Sequence, residues 1–163
     1  MASSLIRGLL AQGQPAQSIW ATDVDVGKLE SLAQDCGINS ADTSQIAASA
    51  DVIVLAVKPQ VLSAVCAELT GVLRRSTLVV SIVAGARIAS IAKGLGHDAI
   101  VRTMPNTPAQ VGEGMTVWTA TAAVSHAQRE QAGALLGALG KQLYVQDEGF
   151  LDKATAVSGS GPA

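Results

Sequence analysis

Aromatic side chains are scarce in this sequence of 163 residues, and the only rings of Phe, Tyr and Trp are those of Trp20, Trp118, Tyr144 and Phe150. A protein that stacks unpaired bases needs a surface of exposed rings, so this composition argues against an RNA-binding function. Aliphatic residues are abundant instead, because hydrophobic residues make up 48% of the chain and most are Ala, Val, Leu and Ile. Such a balance is typical of aliphatic strands packed under alanine-rich helices.

Positive charge is also sparse, since 11 basic residues face 13 acidic ones and the formal net charge is −2. The only basic doublet is Arg74-Arg75, which cannot neutralise a phosphate backbone, so we predict no nucleic-acid partner. No apolar run approaches the roughly 20 residues of a membrane span, which predicts no membrane partner. Residues 1–13 lack a signal-peptide cleavage pattern, and we expect a cytoplasmic protein.

Cysteine and histidine are few and isolated. Cys36 and Cys66 each fall on the apolar stripe of a predicted helix, which favours buried, reduced structural thiols over redox chemistry or metal binding. His97 and His126 have no ligand spacing to each other or to a cysteine, so we predict no metal site.

Helical and strand-like patterns alternate along the chain. Strand-like segments fall at 18–23, 51–57, 77–83, 99–104, 115–120 and 141–146; the segment 51–57 is a continuous apolar run, and the last has the alternation of an edge strand. Helical stripes fall at 2–10, 26–36, 43–49, 62–73, 87–95, 125–139 and from 148 to a break at SGSGP. This alternation predicts a Rossmann-like, doubly wound α/β fold, with a mainly parallel sheet and helices on both faces.

Ligands of such folds bind beyond the carboxyl ends of the strands, so the residues directly after each strand are the candidates. Asp23 follows the first visible strand, where an acid can accept hydrogen bonds from both hydroxyls of an adenosine ribose and would repel a 2′-phosphate. A turn or helix-capping acid is an equally good interpretation, although Asp25 is placed to cap the helix at 26–36. Lys58 precedes Pro59, which is predicted to occupy a helix N1 position. The side chain of Lys58 is expected either to contact a phosphate of a ligand or to be solvated at the strand end.

Two further segments follow buried strands. Ala84-Gly85 carries no bulk, which suits close approach to a flat ligand as well as a simple turn. In the other segment, Pro105 and Pro108 bracket Asn106-Thr107 and restrict the backbone on either side of that polar pair. A rigid loop there would present polar groups to a ligand, whereas the alternative is a structural turn in which Asn106 bonds its own backbone. The G-x-G-x-x-G turn of dinucleotide-binding folds is absent.

Three motifs together carry a family resemblance. LAVKP (55–59), RTMPNTP (102–108) with VGEGMT after it, and ATAVSGSGPA (154–163) stand in the order and spacing of pyrroline-5-carboxylate reductase, which the chain resembles over essentially all its length. The resemblance implies hydride transfer from NAD(P)H to the C=N carbon of 1-pyrroline-5-carboxylate, giving L-proline in the last step of proline biosynthesis. It implies NADPH as the cofactor. NADH is the alternative, because Asp23 and Thr43 depart from the family pattern at the adenosine end of the cofactor.

The resemblance also assigns site residues. The expected cofactor contacts are Ala56, Val57, Lys58, Pro59, Ala84, Gly85, Asn106 and Thr107, with Asp23 at the adenosine end. The backbone amides of SGSGP would bind the substrate carboxylate through Ser158, Ser160 and Gly161. No general acid is assigned, since an imine nitrogen can be protonated before it binds.

Members of that family begin with a strand and a G-x-G-N-M turn, to which Met1 would correspond, and continue into a helical dimerisation domain. We therefore expect a fragment, with an incomplete NAD(P)-binding domain at 1–147, the start of the helical domain at 148–163, and no activity of its own. A homo-oligomer is expected for the complete protein. The alternatives are another NAD(P)-dependent dehydrogenase of this architecture, such as a prephenate or 6-phosphogluconate type, and an inactive nucleotide-binding fragment.

Overall fold

The computed structural model of the chain describes residues 1–159. Its helices are α1 (Ala2–Ala11), α2 (Val26–Cys36), α3 (Thr43–Ser49), α4 (Leu62–Leu69), α5 (Ile88–Leu95), α6 (His126–Gly137) and α7 (Gly149–Ala154). Its strands are β1 (Trp20–Ala21), β2 (Asn39–Ser40), β3 (Val52–Leu55), β4 (Leu78–Ser81), β5 (Ile100–Met104), β6 (Gly114–Ala120) and β7 (Gly140–Tyr144). Short 3₁₀ helices cover Ala16–Ser18, Pro59–Val61 and Thr107–Val111, and a π turn covers Thr155–Gly159.

The strands of the described region form two sheets, one of order β1-β2 and one of order β3-β4-β5-β6-β7. The pairs β1-β2, β3-β4, β4-β5 and β6-β7 are parallel, and only β5-β6 is antiparallel. The predicted Rossmann-like, mainly parallel α/β fold is confirmed, and β7 is the edge strand that its alternation indicated. The strand pairing differs from a single sheet, because β1 pairs with β2 alone.

Aliphatic side chains cover both faces of the five-stranded sheet. On one face, Val79 and Ile100 pack with Leu55 and with residues of α4 and α5. On the other face, Val80 and Val101 pack with Trp118 and with residues of α6. Alternate residues of β4 and β5 thus point to opposite layers, which explains why β4 has apolar residues at successive positions.

Capping residues fix several helix ends as the sequence predicts. The Asp25 carboxylate accepts a hydrogen bond from the Lys28 amide at 3.1 Å and caps α2. Ser125 and Gln128 form a reciprocal capping box at the start of α6. The helix predicted over 62–73 ends earlier, at Leu69, because the backbone of Thr70 is extended, with ψ of 125°, and Gly71 after it is left-handed, with φ of 77°.

The beginnings of β6 and β7 approach each other too closely for side chains. A Cβ atom on Gly114 would lie 2.6 Å from the Leu139 carbonyl oxygen and 2.8 Å from the Ala109 Cα. One on Gly140 would lie 2.5 Å from backbone atoms of Gly114. Glycine at both positions therefore lets the 3₁₀ helix after β5 pack directly against the start of β6.

Burial separates the two cysteines. Cys66 is buried in α4 as predicted, whereas Cys36 at the end of α2 is only half-buried, so the prediction of a buried thiol is wrong for Cys36. Both thiols are free. Within residues 1–159, no helix combines the length and the apolar character needed to cross a membrane.

Candidate functional site

The parallel pairing of β3, β4 and β5 brings their carboxyl ends to one edge of the sheet. The segments that follow these strands are Ala56–Pro59, Ala84–Gly85 and Asn106–Thr107, so three of the predicted site segments leave the sheet at the same edge. This edge is where α/β sheets bind their ligands. We call it the strand-end edge.

Lys58 stands exposed at this edge. It is the N-cap residue of the 3₁₀ helix Pro59–Val61, and its carbonyl oxygen accepts the Val61 amide at 3.1 Å. Pro59 occupies the N1 position as predicted. Ala56 is exposed and Val57 packs partly against the core. No carboxylate in the described part of the chain forms an ion pair with Lys58, so its charge remains available to an anion.

The second segment is an open turn. Gly85 has φ of 72°, a left-handed conformation that favours glycine, and a Cβ atom built there would meet nothing within 4 Å. Ala84 is exposed as well, and the Ala86 amide closes the turn on the Val83 carbonyl oxygen at 3.3 Å. The structure thus combines a tight turn with an unobstructed backbone surface.

The third segment is pinned to β6. The Asn106 side-chain oxygen accepts the Met115 amide at 2.9 Å, and the Asn106 carbonyl oxygen accepts the Ala109 amide at 3.1 Å. Asn106 is the N-cap residue of the 3₁₀ helix Thr107–Val111, an element that the sequence did not reveal, and Thr107 is exposed. The side-chain bond to Met115 joins the loop to the neighbouring strand, in addition to the local turn anticipated for Asn106.

Asp23 is placed apart from these three segments by strand pairing. It follows β1, which belongs to the smaller sheet, and its exposed carboxylate accepts the Asp25 amide at 2.9 Å. Asp25 also forms an ion pair with Lys28 at 2.7 Å, and the hydrogen bonds from Lys28 hold the pKa of the Asp25 carboxyl below its ordinary value. The structure thus shows a turn-forming role for Asp23.

The predicted substrate segment lies mostly beyond the described part. Ser158 falls in the π turn Thr155–Gly159, but nothing is described of its side chain, and Ser160 and Gly161 lie outside the described residues. The helical break predicted at SGSGP is wrong for its first two residues, because helical backbone continues through Gly159.

Sequence reasoning missed a buried arginine near the strand-end edge. Arg102 on β5 donates from Nη1 to Glu148 Oε1 at 2.7 Å and from Nη2 to Asp152 Oδ1 at 2.9 Å. Its side chain is only 3% exposed. The hydrogen bond from Arg102 lowers the pKa of the Asp152 carboxyl. A lone arginine within an apolar strand, followed by two acids four residues apart on a helix, is the signal that could have revealed this cluster.

Two concave surfaces lie elsewhere on the molecule. An open groove of about 610 Å³ runs between α6 and β7 and includes Trp118, Arg129 and Tyr144. A smaller one of about 140 Å³ lies beside Trp20 and α3. None of the predicted site residues lines either surface. Strand direction and side-chain chemistry therefore define the candidate site, since a cofactor that lies across strand ends needs an exposed edge.

Comparison with known proteins agrees with this architecture. The family model described as "NADP oxidoreductase coenzyme F420-dependent" matches residues 1–85. The pyrroline-5-carboxylate reductase of Pseudomonas aeruginosa is 47% identical over 165 residues, which cover 100% of this chain and 60% of the relative. The solved structure of a pyrroline-5-carboxylate reductase from Coxiella burnetii superposes with a TM-score of 0.94 at 38% identity, covering 99% of this chain and 61% of that one.

A third relative is the Plasmodium falciparum pyrroline carboxylate reductase, solved with NADP bound. It superposes with a TM-score of 0.80 at 26% identity and covers 98% of this chain and 59% of that one. The chain spans about 60% of the length of the Pseudomonas relative. The family resemblance inferred from the three motifs is confirmed. The chain belongs to the NADP oxidoreductase, coenzyme F420-dependent family, and it is similar along its whole length to the N-terminal part of pyrroline-5-carboxylate reductases.

Proposed function

We propose that the complete protein containing this chain reduces 1-pyrroline-5-carboxylate to L-proline, with NADPH as the hydride donor and NADH as the alternative. The observation that carries this proposal is the 47% identity to a pyrroline-5-carboxylate reductase across the whole chain. When bound, the nicotinamide supplies a hydride to the imine carbon while the imine nitrogen keeps a proton, so that the C=N bond becomes an amine and the cofactor is oxidised.

The strand-end edge fits such a cofactor. Lys58, exposed and without an ion-pair partner among the described residues, would face the ribose and phosphate region together with Ala56, Val57 and Pro59. Ala84 and Gly85 would pass close to the nicotinamide half, because their backbone is unobstructed. Asn106 and Thr107 would orient the ring, and the bond from the Met115 amide to Asn106 limits the freedom of their loop.

The substrate carboxylate would be bound by Ser158, Ser160 and Gly161. Support for this assignment comes from their motif and from their position after α7, whose preceding residue Glu148 accepts the Ile88 amide of α5 at 2.9 Å. No residue is assigned as a proton donor, because a protonated imine brings its own proton.

Asp23 bears on the choice between the two cofactors. Its carboxylate would accept hydrogen bonds from ribose hydroxyls and repel a 2′-phosphate. The nearby ammonium of Lys28 is already engaged by Asp25 at 2.7 Å, which weakens its pull on a phosphate. The ratio of activities with NADH and NADPH measures the contribution of Asp23.

Domain organisation and assembly are part of the proposal. Residues 1–147 would form the cofactor-binding unit and residues 148–163 the beginning of a helical substrate and dimerisation unit, and the complete protein would be a homo-oligomer. The cytoplasmic location expected from the sequence remains a prediction.

The direct test follows the loss of NADPH absorbance on adding 1-pyrroline-5-carboxylate to protein made from the complete reading frame, with NADH in parallel. We expect turnover, and we expect Lys58→Gln to raise the KM for NADPH about tenfold, the equivalent of one lost charge-assisted hydrogen bond. Lys141→Gln, which removes an exposed lysine on β7, is the matched control and should leave both constants unchanged.

Failure has a clear signature. A folded protein that turns over neither cofactor with this substrate would contradict the proposal. If it instead oxidised prephenate with NAD(P)⁺, the alternative dehydrogenase would be correct. Equal effects of Lys58→Gln and Lys141→Gln on the KM for NADPH would show that Lys58 does not bind the cofactor, without contradicting the proposed reaction.

A further inference from the structure

We infer that Arg102 is a positioning residue: it holds α7 against the strand-end edge and thereby sets the position and orientation of the helix that precedes the proposed substrate segment. This inference rests on the proposed function, because it concerns the geometry between the two ligands of that reaction. It assigns no chemical step to Arg102.

The contacts of Arg102 fix α7 in two directions. Its two terminal nitrogens bond separate carboxylates, Glu148 at 2.7 Å and Asp152 at 2.9 Å. These acids are four residues apart, directly before and within α7, so they lie on the same side of the helical stretch. A rigid guanidinium that engages both restricts the rotation of the helix as well as its distance from β5.

Burial makes this arrangement specific. Arg102 is 3% exposed, whereas Glu148 and Asp152 are 27% and 45% exposed. A buried guanidinium must keep its hydrogen-bond acceptors, since an unpaired buried charge is strongly unfavourable. Water can solvate the two acids but cannot reach Arg102. The position of the Arg102 guanidinium therefore determines where α7 packs against β5.

The same acids reach the turn that follows β4. Glu148 Oε1 also accepts the Ile88 amide at 2.9 Å, which satisfies the beginning of α5, and Asp152 Oδ2 accepts from Arg87 at 3.2 Å. Arg87 stands two positions after Gly85. Two carboxylates therefore join β5, α5 and α7 in one cluster, with two positive and two negative charges.

Each element of this cluster is close in sequence to a proposed ligand-binding segment. Ala84–Gly85 precedes Arg87, Asn106 follows Arg102 by four positions, and Ser158 follows Asp152 by six. An error in the docking of α7 would shift the helix end from which the chain continues toward Ser158, while leaving the first two segments on their strands. Misplacement by about 1 Å is enough to cost about a hundredfold in rate.

The expected consequence is selective. In the complete protein, Arg102→Gln should raise the KM for 1-pyrroline-5-carboxylate at least tenfold and lower kcat, while the Kd for NADPH, measured by its fluorescence, changes less than twofold. Arg102→Lys keeps the charge but cannot engage both acids, so it should recover part of the loss. Asp152→Asn should shift the same constants by a smaller amount.

Arg74→Gln provides the matched control. Arg74 also bonds a carboxylate, Asp51 at 2.8 Å, and a carbonyl oxygen, Ser49 at 2.7 Å, but at the opposite end of β3. We expect it to leave the KM for the substrate and the Kd for NADPH unchanged.

A KM for the substrate that does not move in Arg102→Lys and Asp152→Asn would overturn the inference, even if Arg102→Gln failed to fold. A parallel weakening of NADPH binding would overturn it too, because it would indicate a general loss of structure. Absence of turnover in the unmodified protein would instead reject the proposed function, and the positioning role with it. In that case, unchanged hydrogen exchange of α7 in Arg102→Lys would show that Arg102 does not even hold the helix.

Discussion

The two sheets of this molecule differ sharply in how they are held together. In the five-stranded sheet, Leu78, Val79 and Val80 of β4 are 0% exposed, with side chains packed on both faces. In the two-stranded sheet, β1 and β2 have two residues each, and Trp20 is 52% exposed. Helix α2, which connects β1 to β2, contains no buried residue. Core burial therefore stabilises the larger sheet, whereas the smaller one is joined by backbone pairing with little buried side-chain area around it.

This contrast indicates which parts of the candidate site are rigid. The segments after β3, β4 and β5 leave a sheet that can move only if its core opens, whereas Asp23 leaves a region with little buried area. Local opening should therefore start around β1, α2 and β2, at a lower free energy than global unfolding. The following experiments compare the two regions in protein made from the complete reading frame.

The largest effect is expected from truncating a core side chain beneath the larger sheet. Ile91 on α5 is 0% exposed, and Ile91→Ala should lower the free energy of unfolding by about 3 kcal/mol through lost burial and a residual cavity. Val26 on α2 is 62% exposed, so Val26→Ala should change it by less than about 0.5 kcal/mol. Urea denaturation measures both. Similar losses for the two variants would show that the smaller sheet is packed as tightly as the larger.

The two cysteines report the same contrast chemically. Cys66 is 3% exposed, and burial raises the pKa of its thiol, whereas Cys36 in α2 is half-buried. Reaction with a disulfide reagent at pH 8 requires an accessible thiolate, so Cys36 should react at least about tenfold faster than Cys66. The single-cysteine variants Cys36→Ala and Cys66→Ala separate the two rates. Equal rates would mean that α4 opens as readily as α2.

A smaller effect should appear in acid. Hydrogen bonds lower the pKa of Asp152, through Arg102, and of Asp25, through Lys28, below the ordinary value of 3.8. A depressed pKa contributes stability that is present above 3.8 and is lost as the pH falls through the lower value of the folded protein. The stability advantage of wild type over Asp152→Asn should therefore shrink below about pH 4.

Asp25→Asn should follow the same trend with a smaller amplitude, because Lys28 is exposed and salt screens the pair. Thermal melts between pH 7 and pH 3, at low and high salt, give both profiles. If the stability of wild type relative to Asp152→Asn increased as the pH fell, the pKa of Asp152 would not be lowered in the folded protein.

Local patterns predicted most of the elements, because apolar periodicity and caps act over a few residues. Glycine placed the ends of α2 and α5, where Gly37 and Gly96 have φ of 67° and 60°. The antiparallel direction of β6 was not predicted, although residues 105–113 are fewer than the dozen or so that a parallel crossover requires.

Contacts between residues far apart in the sequence could not be predicted from local patterns. The partners of Arg102 lie 46 and 50 positions away, and hydrophobic periodicity carries no information about them. The separation of β1–β2 from the larger sheet likewise depends on tertiary pairing. The predicted roles of the site residues rest on motifs, and strand direction supports them only for the three segments at the strand-end edge.

The bond between Glu148 and the Ile88 amide has a consequence for synthesis on the ribosome. Helix α5 has no side chain of its own N-cap residue to satisfy that amide, and the acceptor is encoded 60 positions later. At translation speeds of about 5–20 residues per second, the acceptor emerges several seconds after the helix. During that interval water must bond the amide, so α5 reaches its final state only when α7 docks, and a translational pause between their codons would prolong the exposed intermediate.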